Sequence, residues 1–379
     1  MIRIVLTGGG TGGHLFPLVA VSRKINELAK AQNLGEPEIY YIGPGLFLES
    51  SLEREEMNFH YAILITGKWR RYISLKNFID LFKIIAGLAQ ALWKIWLIMP
   101  DVIFSKGGYG SFAAVIVGWL YKIPIILHES DMVPGSTNKF LAHFATFIAV
   151  AWSEAAEYFP KEKTYFTGES IRDALFNPPE PNRERATLHL MTKKLLVLAL
   201  GGSQGAQKIN DIILDILPNL LEVAEVIHQT GDENYNAVVN ESKVVLKGEN
   251  GEQLLSYHPV NFLIEPDYVA AMHTAGLVIS RAGAGSIFEI AASGKASIII
   301  PITTSAGDHQ RRNAYAFASG GRAEVIEEAN LTPKLIISVI KSILNNPEKK
   351  KSMEEKAGQF ATPDAAKLIA QALLNLIPR

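Results

Sequence analysis

Short runs of consecutive apolar residues alternate along the first half of the chain with longer segments in which apolar residues recur every three or four positions. Runs of the first kind predict buried strands, and segments of the second kind predict helices. The strands predicted in this half are residues 1–6, 39–42, 102–104, 125–128 and 146–150. Strands that alternate with helices in this way are typical of a parallel, doubly wound α/β sheet.

The same pattern begins again at residues 195–200 and predicts a second sheet of the same type. Its further strands are predicted at residues 226–228, 261–264, 277–280 and 297–301. A proline-rich polar segment, residues 177–183, separates the two patterns and is the best candidate for an interdomain linker. We therefore predict one domain over residues 1–166, a second over 167–358, and a terminal helical segment over 359–379.

Length and composition narrow the class of protein. A chain of 379 residues is long enough for two hydrophobic cores. Its net charge of −1, with 20% charged residues, argues against a nucleic-acid-binding protein, which would carry a basic excess. The absence of cysteine excludes disulfides and thiolate metal sites and fits an intracellular protein. The apolar start is too short for a signal peptide, so we expect no export.

One apolar stretch, residues 78–99, is long enough to raise the question of a membrane span. Asp80, Lys83, Gln90 and Lys94 interrupt it, however, and leave no uncharged run of about 18 residues, the minimum for a spanning helix. We therefore predict that this stretch does not cross a membrane.

Four glycine-rich turns each follow a predicted strand and precede a predicted helix. They lie at residues 8–13, 107–110, 201–205 and 283–285. Such a turn exposes unpaired backbone N–H groups at a helix N-terminus, and glycine lets a phosphate approach them closely. Because each half contains two of these turns, we expect two similar domains that face one another across a phosphorylated ligand.

The first turn contains the pattern G-x-G-x-x-G, which on its own is weak evidence for a dinucleotide site. No acidic residue follows the predicted strand at 39–42, where a nicotinamide cofactor would need one for its ribose. His14 follows the glycines at the start of the helix, where a neutral imidazole could take a proton from a substrate hydroxyl. The alternative is a capping or solvent-facing histidine, and the flanking glycines favour the chemical role.

Polar residues also lie at the ends of two further strands in the first half. Lys106 and Tyr109 lie at the carboxyl end of one strand and His128 and Glu129 at the end of another, the edge where open α/β sheets bind ligands. Ordinary strand-end turns are an equally good interpretation of these residues. In the second half, the turn at 201–205 could hold a diphosphate and has no Walker lysine. Glu289 could accept two ribose hydroxyls or could simply stabilise its helix N-terminus.

Taken together, these segments resemble the MurG family of peptidoglycan glycosyltransferases. The most specific ones are residues 9–14, 128–129 with 137–139, 201–206, 280–284, and Gln310 with 313–314. The resemblance implies a GT-B fold, with two Rossmann-like doubly wound parallel-sheet domains facing a cleft. It implies that the N-terminal domain binds the acceptor, that the C-terminal domain binds UDP-GlcNAc, and that the helix at 365–376 returns to the first domain.

The resemblance also implies roles for individual residues. The donor-binding residues are Thr11, Gly12, Gly13, Asp131, Arg172, Ser203, Ile264, Arg281, Gly285, Ser286, Glu289, Gln310 and Asn313. The acceptor-binding residues are Gly107, Gly108, Tyr109, His128 and Asn138. Asp131 departs from the family pattern, because many members carry asparagine there as a donor contact.

The implied reaction is transfer of N-acetylglucosamine, with inversion, from UDP-GlcNAc to the C4 hydroxyl of the muramyl sugar in lipid I. His14 is the candidate base, while Glu129 and Tyr109 position the acceptor or extend a proton path. UDP-GlcNAc is a substrate, so no cofactor is expected. No compact Asp-x-Asp or histidine cluster predicts a metal site, which leaves open only a loosely bound divalent cation.

Because lipid I is anchored in the membrane, the resemblance implies a peripheral enzyme on the cytoplasmic side of the cell membrane. The segment 66–94 mixes basic and aromatic residues, as expected for contact with anionic lipid. The residues that we assign to this surface are Trp69, Arg70, Arg71, Tyr72, Lys76, Phe78 and Phe82. An ordinary amphipathic helix would explain much of the same apolar content.

Two other classes of protein share parts of this pattern. One is another UDP-sugar enzyme of GT-B fold, such as a diacylglycerol glycosyltransferase or UDP-GlcNAc 2-epimerase, which would have similar glycine turns. The other is a noncatalytic module, which would bind the nucleotide-sugar without turnover. An epimerase would convert UDP-GlcNAc without any lipid acceptor. The positions of His14, His128 and Glu129 argue against the noncatalytic module.

Overall fold

The computed structural model describes residues 2–9, 12–45, 59–67, 75–177, 185, 187–202, 205–248, 251–303 and 306–377. Contacts between residues divide the chain into two compact units. The N-terminal unit comprises Met1–Ile171 and Asp364–Arg379, and the C-terminal unit comprises Arg172–Pro363. The predicted linker lies mostly outside the described residues, and the division falls a few residues before it.

The N-terminal unit is built on one parallel sheet. Its elements in chain order are β1 Arg3–Thr7, α1 Gly12–Ala31, β2 Glu38–Gly43, β3 His60–Ile63, α2 Leu75–Ile98, β4 Val102–Ser105, α3 Phe112–Leu120, β5 Ile125–Glu129, α4 Ser136–Leu141, β6 Phe147–Val150 and β7 Thr164–Phe166. The seven strands have the order β3-β2-β1-β4-β5-β6-β7. The strand order therefore reverses between β1 and β4, which is the topological switch point of a doubly wound sheet.

The C-terminal unit repeats this plan. Its elements are β8 Leu195–Leu200, α5 Gln207–Val223, β9 Ala224–Gln229, α6 Tyr235–Val245, α7 Gly251–Leu255, β10 Tyr257–Val260, α8 Glu265–Thr274, β11 Ala275–Ser280, α9 Ala284–Ala292, β12 Ser297–Ile299, α10 His309–Ala318, β13 Glu324–Val325, α11 Pro333–Leu344 and α12 Pro347–Phe360. The six parallel strands have the order β10-β9-β8-β11-β12-β13. The switch point here lies between β8 and β11.

Each sheet has its own core because helices cover its central strands on both faces. In the N-terminal unit Ile4, Val5 and Leu6 of β1 are all fully buried, as expected for a central parallel strand. The helix α13, Ala365–Leu376, completes this core, since its Ile369 and Leu373 pack in the same cluster as Ile4 and Leu6. In the C-terminal unit β8 packs against α5.

Most of the predicted central strands are confirmed to within one or two residues. The strand predicted at residues 261–264 is wrong, because the strand β10 ends at Val260. Its sequence contains Pro259, which an edge strand tolerates because the missing N–H need not join the ladder. The strands β3, β7 and β13 were not predicted, and each of them is short and lies at or next to the edge of its sheet.

Candidate active site

The two glycine turns of the N-terminal unit meet at its switch point. The register pairs Thr7 of β1 with Ser105 of β4, so both turns begin at the same level of the sheet. Their backbones are in close contact, because a Cβ atom on Gly110 would lie 2.4 Å from the carbonyl oxygen of Gly8. Gly107 and Gly108 both have a φ of 75°, in the left-handed region that favours glycine. The geometry of the second turn therefore requires glycine at these positions.

His14 lies in the first turn of α1, half-buried between the two glycine turns. A Cβ atom on Gly9 would lie 2.9 Å from Cδ2 of His14, and one on Gly108 would lie 3.3 Å from its Cε1. The absence of side chains at these two positions thus creates the space for the imidazole ring. Within the described part of the chain, the buried Nδ1 of His14 has no hydrogen-bond partner.

The charge state of His14 is set by its surroundings. Burial lowers the pKa of His14 below its usual value, and the nearby ammonium of Lys106 lowers it further. The carboxylates of Asp131 and Glu169 and the backbone carbonyl of Lys106 act in the opposite direction without reversing the shift. A neutral imidazole with an unoccupied ring nitrogen is what a general base requires at neutral pH.

Lys106 is the centre of a buried polar cluster directly beneath the glycine turns. Its side chain is fully buried, and Nζ donates to Glu169 Oε1 at 2.6 Å, to Ser130 Oγ at 2.6 Å and to His128 Nδ1 at 2.9 Å. An ammonium group has three protons, so all of its hydrogen bonds are satisfied within the protein. Although burial acts to raise it, the pKa of Glu169 lies below its usual value because of the Lys106 ammonium, so the pair is ionic.

The contacts of His128 fix its tautomer. Lys106 can only donate, so Nδ1 of His128 accepts and Nε2 carries the proton, which it donates to the carbonyl of Gly168 at 3.0 Å. Burial, with the Lys106 charge second, lowers the pKa of His128 to about 4. Both ring nitrogens are therefore used inside the unit. A direct contact between His128 and an acceptor stays a prediction.

Glu129 holds the second glycine turn through Asn138. One carboxylate oxygen of Glu129 accepts from the amide of Asp131 at 2.9 Å, and the other accepts from Asn138 Nδ2 at 2.8 Å. Asn138 Oδ1 in turn accepts from the amide of Gly108 at 3.0 Å. The side chain of Asn138 fits only because residue 107 is glycine, whose Cβ would lie 2.0 Å from Oδ1. Burial and the charge of Asp131 raise the pKa of Glu129.

The amide groups of this turn are already engaged. The N–H of Gly108 donates to Asn138, and that of Gly107 donates to Ser105 Oγ at 3.1 Å. An acceptor could therefore contact these two glycines only by close approach or by displacing those bonds. Tyr109, in contrast, is 39% exposed at the same turn. The structure thus brings His14, Tyr109, Gly107, Gly108 and the Glu129–Asn138 pair together, as predicted for neighbouring strand ends.

The predicted donor residues at the first turn are only partly described. Gly12 and Gly13 begin α1, and a Cβ atom on Gly13 would meet nothing within 4 Å, so that side of the turn is open. Thr11 lies outside the described residues, as does Ser203 in the C-terminal unit.

The switch point of the C-terminal unit is also lined by two glycine turns. Ser280 of β11 pairs with Leu200 of β8, so the turns that follow these strands begin at the same level. Gly205 has a φ of 75°, and a Cβ there would lie 2.4 Å from the carbonyl oxygen of Thr230. Gly285 and Ser286 lie in the first turn of α9, whose amides have no partner within the helix. These N–H groups are suited to bind an anionic group.

Glu289 and Arg172, two of the predicted donor residues, are bonded to each other. Arg172 donates from Nη1 to Glu289 Oε1, and Tyr268 donates to Glu289 Oε2 at 2.7 Å. The guanidinium lies 4.7 Å from the centre of the Tyr268 ring and 3.7 Å from a carboxylate oxygen of Glu265. Each oxygen of Glu289 therefore has one partner, and because a carboxylate oxygen can accept two hydrogen bonds, each could also accept a ribose hydroxyl.

Of the other predicted donor residues, three are bonded within the unit and one is exposed. Arg281 is buried and bonded to Glu328 at 2.9 Å, with a second bond to the carbonyl of Ile300, so its guanidinium supports the unit internally. Gln310 Oε1 accepts from the amide of Ile302 at 3.2 Å. Asn313 is buried and donates to the carbonyl of Ala282 at 3.3 Å, which ties α10 to the fourth glycine turn. Ile264 is 45% exposed just before α8.

Four residues of these networks were not singled out from the sequence, namely Glu169, Glu265, Tyr268 and Glu328. Each is far along the chain from its partner, so no local pattern marks it. Glu169 follows Gly168 at the end of β7, and the carboxyl end of a strand is the one signal that could have found it. Among the described residues, no three His, Asp or Glu side chains form a group able to hold a metal ion.

The helix α2 exposes a large apolar face, which we call the α2 face. It is formed by Phe78, Ile79, Leu81, Phe82, Ile85, Leu92, Trp93, Trp96 and Leu97, of which Phe78 is 66% exposed. By length and composition, Asn77–Ile98 could cross a membrane. Trp69, Arg70, Arg71 and Tyr72 lie outside the described residues, and only the backbone of Lys76 is described.

Several contacts attach α2 to the N-terminal unit. Gln90 accepts from the amide of Ile65 at 2.8 Å, and Lys94 donates to the carbonyl of Ile63 at 2.8 Å. The helix approaches the chain after β3 so closely that a Cβ on Gly87 would lie 2.2 Å from the carbonyl oxygen of Ile65. These contacts support the prediction that the helix does not cross a membrane.

Two doubly wound parallel sheets, each with paired glycine turns at its switch point, define a GT-B fold of the kind found in nucleotide-sugar enzymes. Residues 4–150 match the glycosyltransferase family 28 N-terminal domain, and residues 196–369 match the C-terminal domain of that family. The chain is 35% identical, over the full length of both proteins, to a UDP-N-acetylglucosamine–N-acetylmuramyl-(pentapeptide) pyrophosphoryl-undecaprenol N-acetylglucosamine transferase of Thermodesulfovibrio yellowstonii. It belongs to glycosyltransferase family 28 and, within it, to the MurG family.

Solved structures agree on the fold. MurG from Acinetobacter baumannii superposes with a TM-score of 0.69 at 23% identity, over 99% of this chain and 100% of that one. UDP-GlcNAc 2-epimerase from Neisseria meningitidis also superposes with a TM-score of 0.69, at 14% identity, over 99% of this chain and 100% of that one. The fold alone therefore does not separate these two activities, whereas the sequence relationship does. The predictions of the family, of the GT-B fold and of a glycosyltransferase are confirmed.

Proposed function

We propose that the protein transfers N-acetylglucosamine from UDP-GlcNAc to the C4 hydroxyl of the muramyl sugar of lipid I, giving lipid II for peptidoglycan synthesis. The full-length relationship to the transferase of Thermodesulfovibrio yellowstonii carries this proposal. The surroundings of His14 support it, because a neutral imidazole with an unpartnered buried nitrogen lies between two glycine turns.

The proposed mechanism assigns a role to residues at each of the two switch points. His14 takes the proton of the acceptor hydroxyl as that oxygen attacks the anomeric carbon, and UDP leaves with inversion at that carbon. The first-turn amides of α9 and the cation of Arg172 stabilise the charge on the leaving diphosphate. Ribose hydroxyls donate to Glu289, whose carboxylate oxygens have acceptor sites left beside Arg172 and Tyr268. No cofactor takes part in this scheme, and a divalent cation could add to the charge stabilisation.

The test is UDP release from UDP-GlcNAc by purified protein, with and without a lipid I analogue, with product analysis by mass spectrometry. We expect release only when the analogue is present, together with a disaccharide product. Conversion of UDP-GlcNAc to its 2-epimer without the analogue would instead establish an epimerase. Binding of UDP-GlcNAc without turnover in either condition would refute an enzymatic role.

We also propose that the protein is a peripheral enzyme that contacts anionic lipid on the cytoplasmic side of the membrane through the α2 face. The exposure of Phe78 and Phe82, 66% and 58%, supports this orientation. Substituting both with serine should weaken binding to anionic vesicles about tenfold or more, since two large apolar side chains are removed. Turnover of a soluble acceptor should stay unchanged.

The matched control is Val244→Ser, which removes an apolar side chain that is 72% exposed on the C-terminal unit. Vesicle cosedimentation measures all variants. Equal vesicle binding by the double variant and the wild type would refute a role for these two residues.

A further inference from the structure

A cavity of about 610 Å³ lies in the N-terminal unit beside the second glycine turn. Its walls come from the chain after β3, from α2, from α3 and from α4, and they include Ile65, Ile84, Phe112, Ala113 and Phe140. The rings of Phe112 and Phe140 are stacked with their centres 6.0 Å apart and so form a flat apolar wall. This volume is within the range of pockets that hold small organic ligands, about 300–1,000 Å³.

The lining of the cavity is amphiphilic. Besides the apolar residues, four residues that carry a hydroxyl group line it, namely Thr66, Tyr109, Ser136 and Thr137. Tyr109 directly follows Gly108, and Thr137 directly precedes Asn138, which binds the amide of Gly108. Tyr109 and Thr137 are therefore chain neighbours of predicted acceptor residues, so a ligand of the cavity would extend from the acceptor site.

The cavity also reaches the surface of the unit. Ile65 and Phe140, which line it, are 46% and 49% exposed. Ile84 comes from α2, and its chain neighbour Ile85 belongs to the α2 face. An apolar chain that enters the cavity from the acceptor site could thus leave it toward apolar surface.

We propose that this cavity binds the first isoprene units of the prenyl chain of the acceptor. The inference rests on the proposed function, in which the acceptor is a sugar diphosphate attached to such a chain. A prenyl diphosphate matches the lining, because its polar end would lie among the hydroxyl groups and its branched apolar units would pack on the aromatic wall. The enzyme would then recognise its acceptor by the lipid as well as by the sugar.

The experiment compares two soluble acceptors that differ only in the group on the diphosphate, one with three isoprene units and one with an ethyl group. Ala113 lines the cavity and is nearly buried, so Ala113→Phe fills it. Phe140→Ala removes part of its wall at an exposed position, where folding is not at risk. We expect the wild type to have a KM for the prenyl acceptor about tenfold or more below that for the ethyl acceptor, as for apolar groups in a fitted pocket.

In both variants the KM for the prenyl acceptor should rise toward that for the ethyl acceptor, while kcat and the KM for the ethyl acceptor stay constant. The control is Ala89→Phe, which adds the same ring on the exposed side of α2, outside the cavity. Equal KM values for the two acceptors in the wild type, or a KM ratio unaltered in Phe140→Ala, would overturn the inference. Turnover of neither acceptor by the wild type would instead refute the proposed function.

Discussion

The switch points of the two units have the same strand order and the same paired glycine turns, yet they differ in chemistry. In the N-terminal unit the turns enclose an imidazole and cover a buried cluster of Lys106, Glu169 and His128. In the C-terminal unit they adjoin the ion pairs of Arg172 with Glu289 and of Arg281 with Glu328, and the open first turn of a helix. One backbone plan thus carries two different sets of side chains, to which we assign proton transfer in one unit and anion binding in the other, as expected where function depends on the side chains added to a fold.

Removing the imidazole tests the role assigned to the N-terminal switch point, and of the three tests it should change turnover the most. His14→Ala should lower kcat by about 10²- to 10⁴-fold, the usual contribution of a general base. UDP affinity, measured by calorimetry, should change little, because most of the donor-binding residues that we propose lie in the C-terminal unit. His143→Ala, at an exposed histidine of the same unit, is the matched control. If His14→Ala turns over nearly as fast as the wild type, His14 is not the base.

The second test acts on the C-terminal switch point. Glu289→Gln should raise the KM for UDP-GlcNAc about tenfold to a hundredfold, because a charged acceptor of ribose hydrogen bonds is lost. The kcat should change much less. Tyr268→Phe is the control, since it removes one present partner of Glu289 and keeps its carboxylate. An unchanged KM in Glu289→Gln would show that Glu289 serves only to hold Arg172.

The third test, at Lys106, should have the smallest effect, a shift in the pH dependence of kcat/KM. The ammonium of Lys106 helps to keep the pKa of His14 low, so Lys106→Met should raise that pKa. The acidic limb of the kcat/KM profile should therefore move to higher pH, with the plateau above it retained. Combining it with Glu169→Gln avoids leaving an unpaired buried carboxylate. Because Glu169 acts on the pKa of His14 in the opposite direction and less strongly than Lys106, the double variant should move the limb in the same direction but less far. Lys161→Met, at an exposed lysine, is the control, and an unmoved limb would show that Lys106 does not influence the base.

The sequence predicts the central strands and the glycine turns because these depend on local patterns. Continuous apolar runs mark strands such as β8, and the bounds of α13 are predicted to the residue because Pro363 and the apolar spacing are both local signals. Edge strands such as β3 and β10 have exposed or irregular sequences and give no such signal.

The candidate site is predictable only in part, because only some of its residues lie in a recognisable local pattern. His14, Glu129 and Asn138 follow glycine turns or strand ends, so strand topology brings them together. The pairing of Lys106 with Glu169 joins residues 63 positions apart, and that of Arg172 with Glu289 joins residues 117 positions apart. Nothing in the sequence near any of these residues specifies its partner.

The return of α13 to the N-terminal unit has a consequence for biosynthesis. During translation residues 2–171 emerge first, but Ile369 and Leu373, which belong to their core, are made only after the whole C-terminal unit. The C-terminal unit, Arg172–Pro363, is continuous in sequence and can complete its core earlier. Domains usually fold in the order of their synthesis. Here the unit that is synthesised first is the last to be completed, and the part of α1 that packs against α13 lacks its partner until α13 has been made.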